Sequence, residues 1–432
     1  MNTLLKQKAL AWATLQSHTL LWLDSNDYPD RYSQFDAILA LSPYDQLLQE
    51  QPKGAFEALQ RFLDSSQAFY QHLPPTLPAV FGYLSYDLKN DIFPLSSSNI
   101  DELGFPAMYF FLPLKILLFK DDEVQCYYHP LVANERDRDI EAIHTFSLPE
   151  EKHTPPLSVD SRLSKEEYIQ KVRQMQVHIQ RGDIYEANFC QEFYANGSID
   201  PLYTYYRLNA LSEAPFACFM KINDKYVIGA SPERFLQKIG RRLLSQPIKG
   251  TAKRAEDPEE DLRIKESLVA NPKERSENIM ITDLVRNDLS HYAQKGSVEV
   301  RELCAPYTFK QVHQLITSIT AELKEGVRAI ESLRTTFPMG SMTGAPKLSA
   351  MQLIEQLEST QRSVYSGAIG YFTPTEDFDF NVVIRSIFYN ETRQYLSFSV
   401  GSAITAIASA EAEYEECLLK GKALVKAINP SV

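Results

Sequence analysis

The sequence predicts an α+β fold with large antiparallel sheets, arranged in two lobes. Three observations carry this. Apolar runs rich in Val, Ile, Phe and Tyr and segments of helical periodicity come in clusters, without strict β-α-β alternation, which disfavours a doubly wound parallel sheet. The chain has 432 residues, enough for two average domains or one large two-lobed one. Between Ser147 and Arg162, Pro149, Pro155 and Pro156 stand among charges and small polar residues, as in a connection. The expected division is an N-terminal region 1–148, a connection 149–163 and a C-terminal region 164–432.

Each element follows from its own pattern. Ala79–Leu88, Met108–Phe119 and Glu123–His129 read as strands. Phe105–Phe119 is the most apolar stretch, but Pro106, Pro113 and Lys115 interrupt it and it is too short to span a bilayer, so it predicts buried strand. Ser164 and Glu167 form a capping box, after which Tyr168, Val172, Met175 and Ile179 recur at helical spacing until Gly182 ends the run. Further helices are expected over Glu274–Tyr292, Pro346–Leu357 (with Pro346 in the first turn) and Ala410–Ile428. Phe378–Tyr389 and Tyr395–Thr405 read as strands.

Composition narrows the function. Hydrophobic residues at 44% and charged ones at 23% argue for an ordered globular chain. The formal charge is 44 − 56 = −12 and no basic run is present, which excludes nucleic acid as a partner. An acidic chain that binds an anion must therefore gather cations in one pocket. Cys126, Cys190, Cys218, Cys304 and Cys417 are odd in number, scattered and free of any C-x-x-C pair, which predicts reduced thiols and a cytoplasmic setting. Met1–Leu21 lacks the pattern of a secretory leader, and no membrane partner is expected.

Several segments carry chemistry. Glu274 and Glu277 lie three apart on one expected helix, Glu413 and Glu416 on another, with Lys420 four residues on. Four carboxylates from two helices can meet around a hard cation such as Mg²⁺; the same spacing is also common on solvated helix faces. Ile281 and Leu284 follow Glu277 at helical steps, so that face is not simply a wet one. Gly340-Ser-Met-Thr-Gly-Ala-Pro-Lys347 is a small-residue loop entering a helix, suited to an anion or to an ordinary tight turn, and it lacks P-loop spacing. Lys249 stands between Ile248 and Gly250; a lysine kept from water or beside other cations loses its proton more easily and becomes a nucleophile. Glu233, in Ser231-Pro-Glu-Arg-Phe235, is a candidate acid. Arg385 lies in an apolar run, where a guanidinium needs a carboxylate from the protein or a ligand.

Together these segments resemble component I of the chorismate-utilising enzymes, the family of anthranilate, aminodeoxychorismate, isochorismate and salicylate synthases. The resemblance rests, in order, on Gly182-Asp-Ile-Tyr-Glu-Ala-Asn188, Ser231–Phe235, Pro247-Ile-Lys-Gly-Thr251, Glu274–Glu277 with Asp283–Leu289, Gly340–Lys347, Phe380–Arg385, Gly401-Ser-Ala403, and Glu413–Glu416 with Lys420. It covers 164–428, with weaker similarity at Leu20–Pro43 and Phe81–Asp87. It implies that Glu277 and Glu416 hold Mg²⁺, with Glu274 and Glu413 in support, and that the metal meets the ring carboxylate of chorismate beside Thr343 and Gly344. Arg385, Lys420 and the backbone at Gly401 and Ala403 would hold the enolpyruvyl group, and Glu233 would be the general acid for the departing ring hydroxyl.

Within the family, Lys249 points to the branch that makes 4-amino-4-deoxychorismate for folate; anthranilate-forming members usually carry alanine there. The lysine is expected to add to the ring and then be displaced by ammonia. Water-adding members need lysine where this chain has Glu186, and the familiar aminating members carry glutamine. The alternatives are anthranilate synthase and, further off, isochorismate synthase; from another class, the alternative is a non-catalytic relative that only binds a partner or a carboxylate metabolite. No G-x-C-x-G glutaminase motif is present, so a separate glutamine amidotransferase subunit is implied as the ammonia source. Leu21–Ser25 is similar to the tryptophan-sensing region of anthranilate synthases but lacks its usual glutamate, so feedback inhibition is not expected.

Overall fold

A computed structural model describes residues 3–28, 34–121 and 123–430. Residues 29–33 of the resembling stretch Leu20–Pro43 lie outside the described residues. The N-terminal region runs α1 (Thr3–Gln16), β1 (Thr19–Asp24), β2 (Ala37–Gln49), α2 (Ala55–Ser65), β3 (Val80–Leu84), α3 (Lys89–Ile92), β4 (Met108–Lys120), β5 (Glu123–Tyr128) and α4 (Arg136–Thr145). After the irregular residues 146–159 come β6 (Asp160–Ser161), α5 (Lys165–Arg181), β7 (Glu186–Asn196), α6 (Pro201–Ser212), β8 (Phe216–Ile222) and β9 (Lys225–Ser231). Then follow β10 (Arg234–Ile239), β11 (Arg242–Gln246), β12 (Ile248–Lys253), α7 (Pro258–Ala270), α8 (Pro272–Ser290), β13 (Glu299–Thr308) and β14 (Val312–Glu322). The chain closes with α9 (Ala329–Thr336), β15 (Gly344–Ala345), α10 (Lys347–Leu357), β16 (Ala368–Phe372), β17 (Phe378–Val382), β18 (Ser386–Asn390), β19 (Tyr395–Ile404) and α11 (Ala410–Ile428).

The strand pairings are antiparallel and trace one path through both lobes. From β7 it passes to β19, β18, β9, β8 and β1. It then crosses β2 and β4 to β3, β16, β17, β10, β11 and β14. Strands from either side of the connection thus pair directly, β1 with β8 and β3 with β16.

Period-two alternation explains why β1 and β2 can sit between two cores. Leu21, Ile38 and Ala40 face one core, together with Phe81, Phe235, Ile281 and Phe380. Leu20, Trp22, Leu39 and Leu41 face the other, with Tyr168, Phe189, Phe219 and Phe398. Each core therefore draws on both the N-terminal and the C-terminal region.

Local expectations hold where a side chain marks the boundary. Ser164 Oγ accepts the Glu167 N–H at 3.2 Å, the Glu167 carboxylate accepts the Ser164 N–H at 2.8 Å, and Gly182 closes α5 in the left-handed region at φ 85°. All five cysteines are free thiols. No helix among the described residues is long and apolar enough to cross a membrane.

Three element boundaries need correction. The expected strand Phe378–Tyr389 is two strands, because the chain leaves β17 in one lobe and enters β18 in the other, turning at Arg385 with φ 52°. Ala79–Leu88 is strand only to Leu84; Tyr86–Leu88 form a 3₁₀ turn. Pro346 is the N-cap of α10, outside the first turn, and its extended ψ of 142° is the reason.

Candidate active site

The lobes meet where β12 and α8 of one face β7, β19 and α11 of the other. Lys249 comes from β12, and its backbone carbonyl accepts from Asn278 Nδ2 of α8 at 3.2 Å. Gly250 follows at φ 92°, and a Cβ there would lie 3.2 Å from Glu274 Oε2. This glycine therefore lets the strand approach the acidic face of α8.

Lys249 Nζ lies 3.2 Å from Glu186 Oε1, with the two side chains 12% and 1% exposed. Burial alone would lower the lysine pKa, but the charges of Glu186, Glu277 and Glu233 and the hydrogen bond to Glu186 outweigh it, so the pKa is raised. The neighbours of Lys249 are thus carboxylates rather than cations, and it is buried rather than a surface charge. Carboxylates surround it, and the resting side chain is an ammonium.

Glu233 is 4% exposed. Burial pushes its carboxyl up to about 7, against the pull of the Ser341 hydroxyl and the Lys249 charge. It is held in place through its neighbour: Arg234 donates to both carboxylate oxygens of Asp379, at 3.0 and 3.1 Å. A carboxyl poised near neutrality beside a buried lysine is suited to giving up a proton.

The two Glu-x-x-Glu pairs do converge. Lys273 Nζ lies between them, 3.8 Å from Glu277 and 3.6 Å from Glu413, and the charges of Glu274 and Glu416 also act on it. Glu413 further accepts from Ser402 Oγ, and Glu416 pairs with Lys420 at 2.6 Å. Burial raises the Glu277 carboxyl to about 7. At Glu416, burial acts upward but the Lys420, Lys273 and Lys249 charges prevail and lower it.

The donor set suits a hard cation. Glu277 Oε1 is buried and has no hydrogen-bond partner. No three acidic, histidine or cysteine side chains close on one point among the described residues. An ion here would therefore rest on one or two carboxylates, with water and substrate oxygens completing its shell.

Arg385 and Lys420 line one cavity with Pro232 and Gln314. The Arg385 guanidinium has no hydrogen-bond or ion-pair partner among the described residues; burial lowers its pKa, yet a guanidinium stays cationic. Lys420 Nζ also donates to the Gly401 carbonyl at 3.0 Å. Gly401 and Ala403 pair across β19 with Cys190 and Asn188 of β7.

Thr343 is fully buried, and its hydroxyl donates within its own loop to the carbonyls of Met339 and Gly340 at 3.2 and 3.3 Å. Without rearrangement, the loop offers a ligand its backbone. Gly344 pairs with Ala187, so close to the Glu186 carbonyl that no Cβ fits. Lys347 is a strut: its ammonium donates to Asp288 at 2.6 Å and to the carbonyls of Thr336 and Pro338.

The sequence reading missed Lys273, Asn278 and the buried pair Glu358–Arg362. Only Lys273 carried a signal, its four-residue spacing to Glu277. Arg362 donates to the carbonyls of Met342 and Asn188 at 2.6 and 2.7 Å and pairs with Glu358, which accepts from Cys190 N. It therefore ties the Gly340–Gly344 turn to β7. Arg362→Ala should destabilise the chain by about 3–5 kcal/mol, since it leaves Glu358 a buried unpaired charge. Chemical denaturation measures the loss, which Arg362→Ala with Glu358→Ala should partly reverse.

A sequence profile described as chorismate binding enzyme matches residues 19–426, and the chain belongs to that family. It is 37% identical to the aminodeoxychorismate synthase component 1 of Escherichia coli over 278 residues, 64% of this chain and 61% of that protein. The match thus spans less than two thirds of that relative. It is 31% identical to the anthranilate synthase component 1 of Thermus thermophilus over 367 residues, 82% of this chain and 78% of that one. The anthranilate synthase component I of Streptococcus pneumoniae superposes with a TM-score of 0.78 at 25% identity, covering 92% of this chain and 93% of that chain.

Proposed function

We propose that the chain is a component I enzyme that converts chorismate and ammonia to 4-amino-4-deoxychorismate, the precursor of 4-aminobenzoate and folate. The observation that carries this is Lys249. It is buried in ion-pair contact with Glu186 and feels the charge of Glu233, a carboxyl poised near neutrality, while Arg385 and Lys420 line a cavity with Pro232 and Gln314.

On this reading, Arg385 and Lys420 hold the enolpyruvyl carboxylate, with the backbone at Gly401 and Ala403 completing the contact. Glu233 gives a proton to the ring hydroxyl, which leaves as water, and the proton that Lys249 sheds as its amine adds to the ring restores Glu233. Ammonia then adds at the carbon the hydroxyl left, and the lysine departs with the electrons of its carbon–nitrogen bond. Mg²⁺ at Glu277 and Glu416, supported by Glu274 and Glu413, would supply positive charge for the ring carboxylate, near Thr343 and Gly344. Ammonia would come from a separate glutamine amidotransferase subunit in the cytoplasm, because the chain carries no glutaminase motif of its own.

Incubation with chorismate, Mg²⁺ and an ammonium salt, followed by chromatography and mass spectrometry, tests the reading. The expected product becomes 4-aminobenzoate only when an aminodeoxychorismate lyase is added. Anthranilate would transfer the chain to the other aminating branch, isochorismate would make it a water-adding enzyme, and unconsumed chorismate would leave a binding protein.

A further inference from the structure

Glu186 is an ionisable group of this site for which the proposed reaction has no task. It opens β7, pairs through its backbone with Ala345, and is 1% exposed. Oε1 takes the Lys249 ammonium at 3.2 Å, whereas Oε2 is buried and has no hydrogen-bond partner. Lys249 is the cation within ion-pair distance among the described residues, and Glu277 is the further charge that acts alongside. A buried carboxylate with one oxygen unmet is a costly arrangement unless a donor arrives to fill it. That donor must be small, because chorismate has to occupy the space over the lysine, and it must carry N–H or O–H groups. Under the reading above, the second reactant meets both conditions.

We propose that Glu186 is the ammonium site: Oε2 accepts a hydrogen bond from an ammonium ion, takes its proton and releases ammonia next to the lysine-bound ring. This rests on the reading that Lys249 carries the ring. In the balanced step, an N–H bond of ammonium breaks, the proton passes to Oε2, and nitrogen keeps the pair. That pair forms the new carbon–nitrogen bond while the lysine departs as a neutral amine. The protonated Glu186 then returns its proton to Lys249 and restores the resting ion pair. Ammonium is the abundant form at neutral pH, so a carboxylate here lets the chain draw on it directly; an amide could bind ammonia but could neither attract the cation nor accept its proton.

The test is steady-state kinetics on the full chain with ammonium chloride, comparing wild type, Glu186→Gln and Glu186→Asp. Chorismate binding, followed by fluorescence titration, certifies the fold of each. At pH about 7.5, Glu186→Gln should raise the KM for total ammonium by about tenfold or more. The ratio of its kcat/KM for ammonium to that of wild type should climb between pH about 7 and 9, as free ammonia becomes available; Glu186→Asp should show no such climb. An unchanged ammonium KM in Glu186→Gln, or a ratio that is flat with pH, overturns the proposal while leaving the amination reading intact. Absence of amino product from wild type is the separate result that removes both.

Discussion

Lys249→Ala is expected to lose amination by about 10³-fold or more, because on the proposed route the lysine itself forms the ring-bound intermediate. It is also expected to be less stable than wild type. The lysine pKa is raised by the carboxylates around it, so its removal leaves Glu186 buried with no cation, a change that costs about 3–5 kcal/mol for a buried pair. The two effects separate in a double mutant. Lys249→Ala with Glu186→Gln should recover most of the stability in chemical denaturation and none of the activity. Loss of stability without loss of turnover would reduce Lys249 to a partner for Glu186.

Glu233→Gln should separate activity from stability in the opposite direction. Removing the proton donor is expected to cost about 10²–10⁴-fold in kcat. The stability effect follows from the raised pKa. Burial shifts the carboxyl from 4.5 in the unfolded chain to about 7 in the fold. Its contribution is fully present below pH about 4.5 and is lost as pH rises through about 7. The wild type then bears a penalty of about 3 kcal/mol that a neutral glutamine does not. Glu233→Gln should therefore melt above wild type at pH 8 and close to it at pH 5. Wild-type kcat/KM should fall as pH rises through about 7, since the acid must carry its proton, and that limb should be missing in the variant.

Much of the fold was legible where one residue marks a boundary. Ser164, Glu167 and Gly182 define α5 by local chemistry alone, and the apolar run of β4 predicted a buried strand. The break at Arg385 was not legible, because Phe378–Tyr389 has uninterrupted strand character and only the pairing partners on either side show that the chain changes lobes. The site follows the same division. The spacing of Glu274 and Glu277, and of Glu413 and Glu416, placed two carboxylates on each helix, but only the tertiary arrangement brings the pairs together across Lys273. The charge state of Lys249 was not legible for a related reason. Its local sequence is apolar, whereas the carboxylates that hold its proton come from positions 186, 233 and 277. Arg362 and Glu358 lie beyond any motif, and their role in tying the turn to β7 depends on contacts about 170 residues apart in sequence.

The most direct test is to incubate the chain with chorismate and Mg²⁺ in the absence of ammonium, quench with acid, and measure intact and peptide masses. The expected result is an increment equal to chorismate less one water, localised to the peptide that carries Lys249 and discharged when ammonium is added before the quench. Amino product formed by wild type with no adduct at any time, and undiminished in Lys249→Ala, would contradict it.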